Sequence, residues 1–209
     1  DFPIEATASG PIRNIITMPE FDKAYLAQTD SKFQWLWPSE GYLPNIPSTK
    51  VAVKHENGQR IQLKLNDAPV SELNFSGREK YAANKSAISM WSGVDLKEGN
   101  NVFEASLLDS DDNIIDRKVF ELHYAGTPTK VKLVEDETKA VADGVIAPVI
   151  AVQLFDKDGY TVRDGLQGEF TVDGPYYALD PNKNQAQINS NDFKPNYEIT
   201  AEGIAYITL

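Results

Sequence analysis

Hydrophobic and polar positions alternate with a period of two along most of the chain, between clusters of Gly, Asn, Asp and Pro. Successive side chains of a strand point to opposite faces, so this pattern predicts β-strands with one buried face. Strands are predicted at 50–54, 60–65, 87–91, 101–107, 116–124, 130–134, 148–155, 168–172, 186–188 and 204–209. Helical periodicity occurs only at 20–28, where it predicts one short helix. The sequence therefore predicts an all-β fold.

The spacing of these strands and turns is typical of β-sandwiches. The best domain boundary is the segment 124–129 (YAGTPT), where one strand ends, Gly and Pro intervene, and another strand begins. We therefore predict one immunoglobulin-like β-sandwich at 47–126 and a second in tandem at 127–209. Residues 1–46 are less regular, and we expect them to pack on the first sandwich through Phe33, Trp35 and Trp37 or to form a linker.

Glycine, proline and acidic residues define the predicted turns. Gly99, Gly159 and Gly203 can adopt positive φ at little cost. The segments 109–113 (DSDDN) and 156–159 (DKDG) favour tight turns, because short carboxylate and amide side chains bond to their own backbone. In this scheme Leu96 and Val102 face a core on either side of the Gly99 turn.

Composition and charge exclude several classes of partner and of chemistry. The 209 residues carry a formal net charge of −11, and no cluster of Lys and Arg offsets it locally. Nucleic acids and anionic membranes require basic patches, so neither is expected as a partner. Cysteine is absent, which excludes disulfides, thiolate nucleophiles and cysteine-ligated zinc. No apolar run approaches the length of a membrane span. The chain begins with Asp1 rather than Met, so we expect a mature or excised fragment whose targeting signal has been removed.

The second half of the chain resembles the bacterial immunoglobulin-like domains of the invasin and intimin type. The resemblance covers about residues 127–209 and rests on an Ala-Asp-Gly before a long strand, two glycine turns and a closing Gly-x-Ala strand. The matching residues are Ala142, Asp143, Gly144, Asp156, Gly159, Val162, Gly165, Phe170, Gly203, Ala205 and Ile207. The chain departs from that pattern at 174–195, which replaces the usual short Thr/Ser-rich strands.

The first half is similar to immunoglobulin-like repeats of large bacterial surface or outer-membrane proteins and of secreted glycan-active enzymes. That similarity rests on an Asn-Asp turn followed by a W-x-G-V-x-L-x-x-G-x-N segment. The matching residues are Asn66, Trp91, Gly93, Val94, Leu96, Gly99, Asn101 and Val102. Together the two resemblances imply a segment of a large bacterial protein with an extracellular, cell-surface or periplasmic location.

Candidate chemistry is sparse. The two histidines, His55 and His123, show no metal-ligand spacing, and we interpret them as surface or edge-strand residues. The spacing of Asp109, Asp111, Asp112 and Asn113 is similar to the start of a calcium loop, but it fails as an EF-hand because the sixth-position Gly and twelfth-position Glu are missing. We expect no cofactor. Calcium held by these four residues is retained as the weaker alternative to solvated turns.

Aromatic residues give a second candidate site. Trp35, Trp37, Tyr176 and Tyr177 could form a platform on which sugars stack. The favoured alternative is that Trp35 and Trp37, being two positions apart, point to the same sheet face and belong to a core.

These observations lead to two functional hypotheses. The first is a non-catalytic spacer or adhesion-type module of a larger bacterial surface or outer-membrane protein, with neighbouring domains and a cell-surface protein or glycan as partners. The alternative is a carbohydrate-binding accessory module of a secreted glycan-active enzyme. No motif in the sequence predicts an enzyme: Gly-x-Ser-x-Gly is absent, and the carboxylates cluster in hairpin turns rather than across a cleft.

Overall fold

The computed structural model describes residues 16–141, 146–173, 177–179, 188 and 194–209. These residues contain thirteen strands in antiparallel sheets and very little helix, so the predicted all-β class is confirmed. They divide into two compact units, one ending at Tyr124 and the other beginning at Ala125, called here the N-terminal and C-terminal units. Within the described ranges, no helix has the length and apolar character of a membrane span.

The N-terminal unit is a β-sandwich of two four-stranded sheets. Its elements are α1 (Lys23–Ala27), β1 (Gln34–Trp37), β2 (Ser48–Glu56), β3 (Arg60–Leu65), β4 (Ala68–Pro69), a 3₁₀ helix (Glu72–Asn74), β5 (Phe75–Tyr81), β6 (Ser86–Asp95), β7 (Gly99–Leu108) and β8 (Ile114–Tyr124). The first sheet has the strand order β1-β2-β6-β5 and the second β4-β3-β7-β8. The predicted strand at 60–65 matches β3 in both of its bounds.

The inner core of this unit lies between the two sheets. It joins Val51, Val53 and Trp91 from the first sheet to Leu63, Phe103, Ala105 and Leu122 from the second. Trp35 of β1 stacks on Phe120 of β8 with 5.2 Å between ring centroids, so aromatic packing closes this side of the sandwich. Alternation of buried side chains on both sheets is what makes the sandwich stable.

A second apolar cluster covers the outer face of the first sheet. It consists of Phe21, Leu26, Trp37, Ala52 and Ile88. Helix α1 supplies the fully buried Leu26, and its N-cap Asp22 accepts a hydrogen bond from the Tyr25 amide at 2.9 Å. The segment before β2 therefore contributes a layer of its own to the N-terminal unit.

Polar contacts fasten the same segment to the sheet. The Lys54 side chain on β2 is buried, and its Nζ donates to Thr29 Oγ1 at 2.8 Å and to Asp30 Oδ1 at 2.7 Å. The Asn84 amide donates to the carbonyl oxygens of Leu26 and Thr29, both at 2.6 Å. These bonds give hydrogen-bond partners to the polar groups of the segment that follows α1. Buried polar groups without such partners would destabilise the fold.

Two sequence expectations about side-chain direction are wrong. Trp35 pairs with Val53 and Trp37 pairs with Ala52, because a β-bulge in β1 inserts one residue between them. Trp35 consequently packs on the inner core while Trp37 joins the outer cluster, rather than both facing one side. Val102 is the other case: it is 41% exposed, since its neighbour Phe103 takes the inward position on β7. Leu96 is buried as expected.

The C-terminal unit is built from two smaller sheets. Its elements are β9 (Lys130–Leu133), a 3₁₀ helix (Glu135–Glu137), β10 (Val149–Phe155), β11 (Gln167–Glu169), β12 (Asn196–Glu198) and β13 (Ile204–Thr208). One sheet has the order β13-β10-β9, and the other pairs β11 with β12. Leu154, Val162, Ile199 and Ala205 form its buried core.

The predicted turn at 156–159 is present in the C-terminal unit. Asp156 Oδ1 accepts from the Asp158 amide at 3.0 Å and from the Tyr160 amide at 2.9 Å, and Gly159 has φ of +89°. Gly99 and Gly203 also have positive φ, as expected. Of the predicted strand at 186–188, the first two residues lie outside the described ranges, and Ile188 is helical rather than extended. Ala142, Asp143 and Gly144 also lie outside them.

Candidate functional site

A groove of about 790 Å³ opens along one side of the N-terminal unit. It lies between β5, the edge strand of the first sheet, and β3 with β4 at the edge of the second. Its walls include the core residues Leu63 and Trp91, and its mouth carries Arg60, Glu72, Phe75, Arg78 and Asp112. The opposite side of the sandwich is closed by Trp35 on Phe120. The groove is therefore the open end of the inner core, bordered by charged side chains.

Arg78 is the central charged group of the groove. It lies on β5 directly opposite Ser89 of β6, and its Nε donates to Ser89 Oγ at 3.1 Å. No residue in the described ranges accepts a hydrogen bond from its Nη atoms. Burial lowers the pKa of Arg78 from its usual value, and the positive charge of Arg60 lowers it further. Arg60 itself forms an ion pair with Asp112.

Ser89 connects Arg78 to a buried histidine. His55 Nε2 lies 2.9 Å from Ser89 Oγ, and His55 Nδ1 lies 2.8 Å from the Glu56 carbonyl oxygen. A carbonyl can only accept, so Nδ1 carries the proton and Nε2 accepts from the Ser89 hydroxyl. This assignment agrees with Ser89 Oγ accepting from the arginine. His55 is thus a neutral, fully buried member of a polar chain that ends at the groove.

The charge state of His55 makes stability depend on pH. Burial lowers its pKa, and the cations Arg78 and Lys80 act in the same direction. Below about pH 6.5 the unfolded chain binds a proton that the native state excludes, so the free energy of unfolding should fall as pH decreases. We expect a slope of up to about 1.4 kcal/mol per pH unit between pH 6.5 and the native pKa, and none from this group above pH 7.

Urea unfolding followed by tryptophan fluorescence at about pH 7.5, 6.5 and 5.5 measures this slope, since all three tryptophans lie in the N-terminal unit. The control is His55→Gln, which cannot titrate. Carboxylates contribute equally to both proteins, so the difference between them isolates His55. Identical pH slopes for the two proteins would contradict the assignment.

The acidic residues proposed for calcium form the turn between β7 and β8. Asp109 Oδ1 accepts from the amides of Asp111 and Asn113, both at 2.9 Å, and these bonds lower the pKa of Asp109, with the Asn113 amide the largest cause. Asp112 forms its ion pair with Arg60. The carboxylates of Asp109 and Asp112 are thus engaged in turn bonds and an ion pair, which favours the interpretation as a turn.

The two predicted tryptophans lie in different hydrophobic clusters of the N-terminal unit. Trp37 is buried in the outer cluster, and Trp35 packs on Phe103 and Phe120 with its Nε1 donating to the Pro38 carbonyl at 2.9 Å. Both rings therefore pack in hydrophobic clusters, as the favoured alternative predicts, but in two different ones. Tyr177 is 82% exposed in the C-terminal unit. Tyr176 lies outside the described residues.

Both histidines are buried. The expectation of a surface or edge-strand position is wrong for His55, which lies on β2 inside the first sheet, whereas His123 does lie on an edge strand, β8. The ring of His123 has its Nδ1 at 2.8 Å from Asn100 Oδ1. Sequence reasoning also missed Phe75 and Arg78, because β5 (FSGREKY) does not show the alternation of a strand. The only signal was the position of Phe75 and Tyr81 at the ends of a polar segment.

Comparison with known proteins does not identify a family for this chain. No protein-family model matches the chain, and no curated protein matches it. Among solved structures, it is similar to a β-glucuronidase from Parabacteroides merdae, with 16% identity and a TM-score of 0.30 over 85% of this chain and 21% of that one. Similarity to β-glucuronidase 3 from Bacteroides uniformis is comparable: 18% identity and a TM-score of 0.31 over 86% and 22%. The chain spans about one fifth of the glucuronidase chains it matches.

Proposed function

We propose that this chain is a non-catalytic structural and interaction segment of a larger bacterial surface or outer-membrane protein, located outside the cytoplasm. The observation that carries the proposal is that each unit has a hydrophobic core of its own, Phe103 and its neighbours in one and Leu154 and its neighbours in the other. A chain of self-contained β-units is suited to extending a polypeptide between functional domains. The sequence resemblances to bacterial immunoglobulin-like repeats support the same proposal.

The acidic groups support a non-catalytic role. Asp109 and Asp156 each accept backbone hydrogen bonds that hold a turn. Two further carboxylates, Glu72 and Asp112, line the groove, but Glu72 is exposed to solvent and Asp112 is ion-paired with Arg60. Acid–base catalysis by a carboxyl pair requires one member to be desolvated and protonated at working pH. Neither groove carboxylate has such an environment.

Single-molecule pulling on the whole chain tests the proposal. We expect two separate unfolding events, with contour-length increments of roughly 250–300 Å for the C-terminal unit and 350–400 Å for the N-terminal unit. The increments follow from the number of residues in each unit, because each core is disrupted independently. One event comprising the whole chain, or release of product from a panel of aryl glycosides, would contradict the proposal.

A second candidate function is a carbohydrate-binding accessory module of a secreted glycan-active enzyme. The specific observation in its favour is the groove of the N-terminal unit, which combines an exposed aromatic ring with polar and charged side chains. Its volume falls within the range of small-ligand sites. Binding of any soluble oligosaccharide to the full chain, measured by calorimetry, tests this candidate.

A further inference from the structure

We propose that the groove between β5 and β3–β4 binds a carboxylate-bearing sugar, with Arg78 holding the carboxylate and Phe75 contacting the sugar ring. This inference rests on the second proposed function, because it names the ligand class of an otherwise unspecified carbohydrate site. It concerns residues of the N-terminal unit alone, all of which lie in the described part of the chain.

The first step is the orientation of Arg78. Its backbone position opposite Ser89 directs the side chain to the same face as Val53, which is the inner face of the sandwich. The bond from Nε to Ser89 Oγ fixes the guanidinium plane and leaves the two Nη groups towards the groove that Arg78 lines. A planar guanidinium binds a carboxylate through two parallel hydrogen bonds. Arg78 therefore provides the guanidinium side of such a guanidinium–carboxylate pair.

The second step is the electrostatic environment. Arg78 is half-buried and close to Arg60, and the charge of Arg60 and the burial both disfavour its protonated form. The Asp112 carboxylate that faces this region is already paired with Arg60. A bound anion at Arg78 would relieve the repulsion between the two cations, so charge complementarity favours a carboxylate over a neutral group.

The third step is the aromatic ring. Phe75 is 42% exposed, and it meets Trp91 edge-on with 5.4 Å between centroids and an interplanar angle of 66°. Contact with the buried Trp91 holds the phenyl ring at the mouth of the groove. An aromatic ring so placed offers apolar surface to the C–H face of a pyranose. Phe75 and Arg78 are three residues apart on one strand, beside the same opening.

The remaining lining favours a sugar over an acidic peptide strand. Gln62 and Glu72 offer an amide and a carboxylate that can bond to the hydroxyl groups of a sugar. A peptide strand that paired with the edge of β3 would need the backbone N–H and C=O groups of β3 to be free. Part of that edge is already used, because β4 pairs with Lys64 and Leu65 and the Val70 amide donates to the Leu63 carbonyl at 3.0 Å.

A matched pair of ligands tests the inference with the full chain. Calorimetry should show that a trigalacturonate binds, while its methyl ester, in which each carboxylate is replaced by an uncharged ester group, binds at least about tenfold more weakly. Arg78→Lys keeps the positive charge but loses the planar two-bond geometry, and it should weaken trigalacturonate binding about tenfold. Phe75→Leu should weaken both ligands by a similar factor, because it removes ring surface without changing charge.

Arg117→Gln is the control, since Arg117 is exposed on β8 away from the groove-lining residues, and it should leave trigalacturonate affinity unchanged. Far-UV circular dichroism verifies that each variant folds, and Phe75→Leu leaves the Arg78–Ser89–His55 chain intact.

Equal affinity for acid and ester, or equal losses in Arg117→Gln and Arg78→Lys, would overturn the carboxylate assignment while leaving a carbohydrate module in place. If neutral oligosaccharides and trigalacturonate both fail to bind, the second proposed function fails with it. Binding of a polyglutamate peptide without the sugar also overturns the inference.

Discussion

Phe103→Ala is expected to destabilise the N-terminal unit by about 3–5 kcal/mol. Phe103 is fully buried on β7, where it contacts the inner core and lies 5.7 Å from the Trp35 ring centroid. Truncation removes the apolar contacts of the phenyl ring and leaves a cavity between the two sheets that neighbouring strands cannot fill by moving. Urea unfolding monitored by tryptophan fluorescence reports the loss, because Trp35 and Trp91 belong to the same core.

Val102→Ala provides the matched control for this prediction. Val102 is the adjacent residue of β7 but is 41% exposed on the outer face of the second sheet. Its truncation should cost less than about 1 kcal/mol, since it removes strand propensity and little buried surface. In the pulling experiment, Phe103→Ala should lower the force of the longer unfolding event only. Similar destabilisation by both substitutions would show that the inner core is not where we place it.

Gly203→Ala is expected to destabilise the C-terminal unit by about 2–4 kcal/mol. Backbone strain and steric overlap both contribute to this loss of stability. Gly203 has φ of +78°, a backbone conformation that an alanine adopts only with strain. A Cβ at this position would also overlap the Cγ2 of Thr161, a fully buried residue paired with the end of β10. Amide hydrogen exchange of Val152 and Leu154 on β10 measures the effect, since the C-terminal unit contains no tryptophan.

Two further variants separate backbone strain from steric overlap. Gly159 has φ of +89°, but a Cβ there would meet nothing within 4 Å, so Gly159→Ala should show the strain alone, at about 1–2 kcal/mol. Thr161→Ser removes the methyl group that Gly203→Ala would strike. The double variant should therefore recover roughly half of the lost stability. Equal effects of the two glycine substitutions, with no recovery by Thr161→Ser, would refute the steric explanation.

The sequence predicted the strands whose alternation is regular and whose turns are marked by small or acidic residues. β3 is the clearest case, because Arg60–Leu65 alternates without interruption between two turns. The turn at Asp156–Gly159 was predictable for a local reason: the Asp156 carboxylate bonds to amides two and four residues later, and only Gly adopts the required φ easily. Such features depend on neighbouring residues alone, which is why they can be recognised in the chain.

Strand β5 is a strand that the sequence pattern did not predict. FSGREKY contains one Gly and four polar or charged residues between its aromatic ends, so it lacks the alternation that marks a half-buried strand. It is a strand because β6 offers it a hydrogen-bonding edge from Ser86 to Trp91. The candidate binding residues Phe75 and Arg78 lie on this strand. The tryptophans that the sequence offered for a sugar platform, Trp35 and Trp37, instead pack in the two hydrophobic clusters of the N-terminal unit.

The sequence by itself determined the all-β class, most of the strands and the tight turns, since each of these depends on alternation or on side chains bonding to their own backbone. Only the tertiary structure decided that a bulge sends Trp35 and Trp37 to different clusters, that His55 is buried neutral beside Ser89, and that Arg78 and Phe75 border an open groove. The physical reason is that burial, charge state and access are set by residues distant in sequence that pack together, and no local pattern encodes which partners those will be.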